Sequence, residues 1–185
     1  EQIVTDSEEI AQGFFNKAID AGHEGLMVKG LDKHYKPGAR VGYGVKWKPE
    51  DNDFDLVITG AEWGTGKRSG WLTSFDVSCN DDGILKEVGK VSTGIKEKEE
   101  EGLSYKEMTE LLQDLEIEEH GRKISVSPKI VVTVQYQNVQ KSPTYSSGYA
   151  LRFPRIIRLR PDRGVDDIAT PVSYTHLTLP TSLAV

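Results

Sequence analysis

Two lysines, Lys46 and Lys48, flank Trp47 in a short run that begins at Val45. Residues two apart on a strand share a face, so the two ammonium groups project the same way, about 7 Å apart, with Trp47 directed to the other side. Such a pair suits a polyanion, and phosphate above all. A second run, Leu26-Met27-Val28, ends in Lys29 and follows Glu24, a carboxylate that can share a divalent cation with a phosphate. Glu24 and Lys29 have opposite parity, so a bend near Gly25 is required if both are to reach one ligand. By spacing alone, a lysine-rich solvent face fits these residues equally well.

The elements that must position these groups come next. Thr5 to Glu9 offers a helix start, with a cap candidate and acidic residues in the first turn. Ile10, Phe14, Ala18 and Ile19 then fall at helical spacing, and Gly22 is a plausible stop. This helix is expected to pack behind the lysine strands. Between those strands lies a glycine-rich loop, Asp32 to Gly44, which carries Arg40 six residues before Lys46.

A polar hinge, Glu50 to Asp53, marks the expected domain boundary, and the pattern beyond it is β. Leu56 to Ile58 and Trp71 to Val77 read as strands joined by Gly64 to Gly70. That loop fails as a P-loop, because Ala61 stands at the first glycine position and Arg68 at the Ser/Thr position. Lys67 and Arg68 on a glycine-rich hairpin suit contact with a DNA backbone instead. A further strand is expected near Ile84 to Val91, and others at Lys123 to Val126 and Ile130 to Tyr136. Between them, Lys96 to Glu119 holds three lysines against ten acidic residues, a net charge of −7. It reads as a helix whose apolar face is Met108, Leu111, Leu112 and Leu115, turned away from any DNA. About five strands with one late helix suit an OB-fold, a small barrel much used for nucleic acids.

With 185 residues the chain has room for one domain or two small ones. No apolar run is long enough to span a membrane, and no secretory signal opens the sequence. Cys79 is the only cysteine, and the four histidines have no metal-site spacing. The formal charge of −6 conceals a strong asymmetry, because Lys141 to Arg163 carries six basic residues against Asp162 alone. Weak, salt-sensitive DNA binding through backbone contacts is the expected consequence.

EGLMVK followed by a Lys-x-Lys strand resembles motifs IV and V of the covalent nucleotidyltransferases, the ATP-dependent DNA ligases and capping enzymes. KSPTYSSGYALRFPRIIRLRPDR closely resembles the end of the archaeal type of ATP-dependent DNA ligase, including motif VI at Arg160, Asp162 and Arg163. The resemblance runs over roughly residues 1 to 165. It implies an α+β chain in which residues 1–50 are the C-terminal part of a nucleotidyltransferase (ATP-grasp-like ligase) domain. Residues 53–165 are then an OB-fold β-barrel, and 166–185 a tail outside the family pattern, read as translated vector or assembly sequence. The implied activity is the sealing of nicked double-stranded DNA through enzyme-AMP and DNA-adenylate intermediates, with ATP and Mg²⁺.

By the same resemblance Lys29, Lys46 and Lys48 are catalytic. Arg40, Lys46, Lys48, Arg160 and Arg163 are then expected to bind nucleotide, while the residues themselves point to Glu24 for metal and, by placement of charge, to Lys67, Arg68, Arg152 and Arg155 for DNA. Motif VI would touch the departing pyrophosphate when the OB domain closes over ATP. Arg163 stands where a lysine is usual, and Thr133 where archaeal members commonly carry glutamate. Ser142, Ser146, Ser147, Tyr145 and Tyr149 resemble the loop before the final strand, where plain loop hydroxyls are the alternative. A capping-type relative and a non-catalytic OB module are the competing readings, and the RFPR and RPDR blocks favour ligase. The nucleophile's Lys-x-Asp-Gly tetrapeptide does not occur in the chain, and the first residue is not methionine. A fragment inactive by itself is therefore expected. The parent would be a cytoplasmic monomer, reaching a sliding clamp through an N-terminal part outside this chain.

Overall fold

A computed structural model describes residues 1–34, 37, 42–49, 52–98, 102–171 and 173. The chain divides into two compact units, Glu1–Glu50 and Asp51–Val185.

In the first unit, helix α1 spans Glu8–Asp20. Ser7 caps it, its side chain accepting from the Ile10 amide, and Glu8 and Glu9 sit in the positive first turn. At the other end Gly22 has φ +82°, its N–H donates to Ile19 O at 2.8 Å, and His23 N–H donates to Ala18 O at 3.0 Å. This double bond satisfies carbonyls the helix leaves open, and Gly22 reaches that φ without a Cβ penalty. The apolar face differs from the periodicity reading. Phe15 is the buried residue, whereas Ile10 is 58% exposed. Strands β1 (Leu26–Lys29) and β2 (Gly44–Trp47) pair antiparallel, Leu26 opposite Trp47 and Met27 opposite Lys46. Trp47 stacks on Phe15 with ring centroids 4.6 Å apart. This contact ties hairpin to helix, adding about 0.5–1.5 kcal/mol beyond the area buried.

The second unit is built around β3 (Asn52–Trp63), long enough to serve two partners on one edge. Its first half pairs with β8 (Val131–Tyr136) and its second half with β7 (Lys123–Val126). The other edge takes β4 (Leu72–Asp81), which pairs with β5 (Ile84–Val91). Across the β4–β5 turn Asp82 and Gly83 both have positive φ, as a tight Asp-Gly hairpin needs. Strand β11 (Arg155–Leu159) extends the sheet beyond β8, and β9 (Asn138–Lys141) pairs with β10 (Tyr149–Arg152). The sheet curls until its two ends meet. Ile156 N–H donates to Thr93 O at 3.0 Å, and Thr93 Oγ1 donates to Pro154 O at 2.7 Å. At this seam Gly94 has φ +98°, and a Cβ there would lie 1.9 Å from Ile156 O. The result is an OB-type barrel with a fully buried interior that includes Leu56, Ile58, Phe75, Val77, Val132 and Val134.

The acidic stretch folds differently from the expectation. Helix α2 covers only Tyr105–Gln113, and Glu116–His120 forms strand β6, paired with β7 across a turn at Gly121. Tyr105, Met108, Thr109 and Leu112 face inward, while Leu111 is exposed. The barrel unit also continues past residue 165. Ile168 is buried, and Ala169 N–H donates to Asp55 O at 2.9 Å. Most of 171–185 lies outside the described residues.

Candidate functional site

The register of the first hairpin sets the cation face. Met27 is opposite Lys46 and Lys29 opposite Gly44, so strand alternation puts Lys29 and Lys46 on the face away from Trp47. Both lysines are exposed. Lys48 stands one residue past the paired strand and is exposed too. Gly25 makes the required bend, with φ +126°, and a Cβ on it would meet Trp47 O at 2.1 Å and Lys48 Cα at 3.1 Å. Only glycine lets the chain pass this close, and the approach brings the Glu24–Gly25 backbone alongside the end of β2. A cavity of about 660 Å³ lies in this unit, lined by Phe14, Met27, Lys29 and Trp47 among others. Arg40 lies outside the described residues.

For a divalent cation the first unit offers the Glu24 carboxylate, and the described residues hold no cluster of three or more potential metal ligands. One carboxylate fits Mg²⁺ where substrate phosphates and water complete the octahedron, and does not fit a protein-only cage.

Arg160 and Arg163 follow β11 and converge on one carboxylate that the sequence reading missed, that of Asp55. Arg160 Nη1 lies 2.7 Å and Arg163 Nη1 3.2 Å from Asp55 Oδ2. Thr133 Oγ1 donates to Asp55 Oδ1 at 2.5 Å. The outer edge of Arg160 is occupied as well, with Nε 2.9 Å and Nη2 2.7 Å from the two oxygens of Asp162. Hydrogen bonding to Arg160 is the largest cause that pulls the Asp162 carboxyl down to about 2. Asp55 did carry a signal, as a charged residue between Phe54 and the buried run Leu56-Val57-Ile58. A carboxylate in such a run needs a cationic partner.

The residues read as DNA-facing come from one turn and two strands of the barrel unit, and Arg68 and Arg155 both border the segment that carries Gly94 and Glu97. Lys67 and Arg68 lie in a short 3₁₀ turn, Gly66–Arg68. Arg68 is ion-paired with Glu97 and lies 5.2 Å from the centroid of the Tyr105 ring. The hairpin therefore packs against the acidic segment, contrary to the expectation that they occupy opposite sides. Arg152 lies over the ring of Phe153, which is 71% exposed with φ +52°. A bulky residue held in that conformation with its ring in solvent is strained and marks a candidate contact point. Arg155 is exposed on β11. Ser146 and Ser147 bond to the backbone of Glu87, which makes them loop anchors.

A hairpin of exposed cations, and a barrel whose last strand leads to paired arginines, are features that a phosphate-handling protein would need. The comparisons make that class specific. The family described as ATP dependent DNA ligase C terminal region matches residues 68–163, and the ATP dependent DNA ligase domain matches residues 1–48. The chain belongs to the ATP-dependent DNA ligases. It is 51% identical over 172 residues to a DNA ligase of Nanoarchaeum equitans, covering 91% of this chain and 30% of that protein. With the DNA ligase of Archaeoglobus fulgidus it shares 47% over 171 residues, again 91% and 30%. The solved ligase domain of M. tuberculosis LigD superposes with a TM-score of 0.54 at 28% identity, over 84% of this chain and 50% of that one. The chain thus spans about a third of the length of the curated relatives it matches.

Proposed function

We propose that this chain supplies the α-phosphate clamp and the OB barrel of an enzyme that seals nicked duplex DNA at the expense of ATP. The supporting observation is the hairpin register, which puts Lys29 and Lys46 on one exposed face with Lys48 just beyond. In this reading the three lysines hold the α-phosphate throughout. They neutralise it while a lysine in a part outside this chain displaces pyrophosphate, forming a P–N bond. They hold it again while the 5′-phosphate of the nick breaks that bond, and until the 3′-hydroxyl attacks and AMP departs. Glu24 would hold Mg²⁺, whose contribution is to offset phosphate charge. Arg40 is assigned to the nucleotide, and Arg160 and Arg163 to the departing pyrophosphate. Lys67, Arg68, Arg152 and Arg155 are assigned to the DNA backbone, with Phe153 as an added contact. The same reading has a cytoplasmic monomer, with a sliding clamp engaged by a part outside this chain.

The test joins the whole chain to the preceding part of the Archaeoglobus fulgidus DNA ligase. The chimera is expected to seal a nicked duplex with ATP and Mg²⁺, and Lys46→Ala within it to abolish most of that sealing. A folded chimera indifferent to Lys46→Ala contradicts the assignment.

A further inference from the structure

We propose that Asp55 is a positioning residue for the first step of the reaction, acting through the arginines after β11. The proposal rests on the assignment of Arg160 to pyrophosphate. Asp55 sits on β3 directly opposite Thr133 on β8, and its side chain is 11% exposed. It is braced on every side. Its Oδ1 accepts from Thr133, its Oδ2 accepts from both Arg160 and Arg163, and its backbone carbonyl accepts from Ala169. Thr133 in turn lies 3.4 Å from Arg158 Nε. Arg160 is pinned at its backbone too, its N–H donating to Val131 O at 2.8 Å.

Two guanidinium groups repel each other, and converging on one carboxylate oxygen is tolerable only because that oxygen is charged. Asp55 therefore lets two cations share one spot on the barrel. The two carboxylates on Arg160 differ in kind. Asp162 is 62% exposed and takes the two-donor edge of the guanidinium, whereas Asp55 is nearly enclosed and takes the remaining nitrogen. That two-donor edge is the one a phosphate would use. An incoming anion displaces Asp162, the exposed partner, while Asp55 stays and fixes the direction in which the fork points. Asp55 itself touches no substrate.

The experiment uses the same chimeric ligase in single-turnover reactions with ATP, and separately with a nick already carrying a 5′-adenylate. Asp55→Asn is expected to slow adenylation about 10- to 100-fold, the range typical of a supporting partner to a working residue. It should leave the pre-adenylated nick nearly unaffected. Combined with Arg160→Ala, it should add much less than its single effect, because it acts through the arginines. Equal slowing on both nicks, or full additivity with Arg160→Ala, overturns the proposal. A normal rate of adenylation in Arg160→Ala itself would instead overturn the pyrophosphate assignment. If Asp55→Asn does not fold, Thr133→Val takes its place, with a smaller loss expected on ATP alone; no loss from it overturns the proposal.

Discussion

At the residue scale, the pairs around Arg160 decide how the chain presents its charge. Asp162 is ionised well below the ordinary carboxylate range because Arg160 binds its charged form. A group whose folded pKa is depressed contributes stability above its unfolded value, near 4, and that contribution is lost as pH falls toward 2. Carbon-detected NMR should therefore place the Asp162 midpoint near 2, rising toward the ordinary carboxylate range in Arg160→Ala. An unshifted midpoint in the wild-type chain would remove the pairing from the account. The shared face of Lys29 and Lys46 follows from strand alternation and the β1–β2 register, whereas Lys48 lies one residue past the paired strand, where parity no longer fixes its direction. Asp55 was not legible in the sequence, because its partners lie over 75 residues away, at Thr133 and Arg160. Only the β3–β8 register brings them together.

At the element scale, local patterns gave β3, β4, β5, β7 and β8, whose apolar runs are buried in the barrel. They misjudged β6. Glu-Ile-Glu-Glu-His has the charge of a solvated helix, yet pairing with β7 across Gly121 makes it an exposed strand. Its charges suit an edge that must not recruit another strand. Leu111 was misassigned for a related reason. Helix α2 is oriented by a polar contact that no hydrophobic periodicity reveals. Thr109 Oγ1 accepts the buried Leu72 amide at 2.9 Å and donates to Tyr105 O at 2.6 Å, pinning the helix to the start of β4. Thr109→Val keeps the shape and strands the Leu72 N–H, which should cost about 1–3 kcal/mol. Urea unfolding measures this directly, and a loss under about 0.5 kcal/mol would contradict the pinning role.

At the scale of the whole molecule, the charge asymmetry of the sequence is softened by the fold. The basic stretch from Lys141 to Arg163 has Arg160 and Arg163 held by Asp55 and Asp162, and outside it Arg68 makes a half-exposed pair with Glu97. Arg152 and Arg155 remain exposed near Phe153, and on the proposed reading the barrel would meet a DNA backbone there. The two units then have separable duties in the account. On the proposed reading the hairpin lysines would serve the α-phosphate, which persists through every intermediate, and the arginines would serve pyrophosphate, which leaves at the first step. Single-turnover sealing by the chimeric ligase, on nicked DNA with and without a 5′-adenylate already in place, tests this division most directly. Lys46→Ala is predicted to slow both substrates by about 10²- to 10³-fold, the usual loss when a positioned charge is removed from a phosphoryl transition state. Arg160→Ala is predicted to cripple the reaction with ATP and spare the pre-adenylated nick. Equal failure of Arg160→Ala on both substrates, or a Lys46→Ala enzyme that seals the pre-adenylated nick at full rate, would contradict the account.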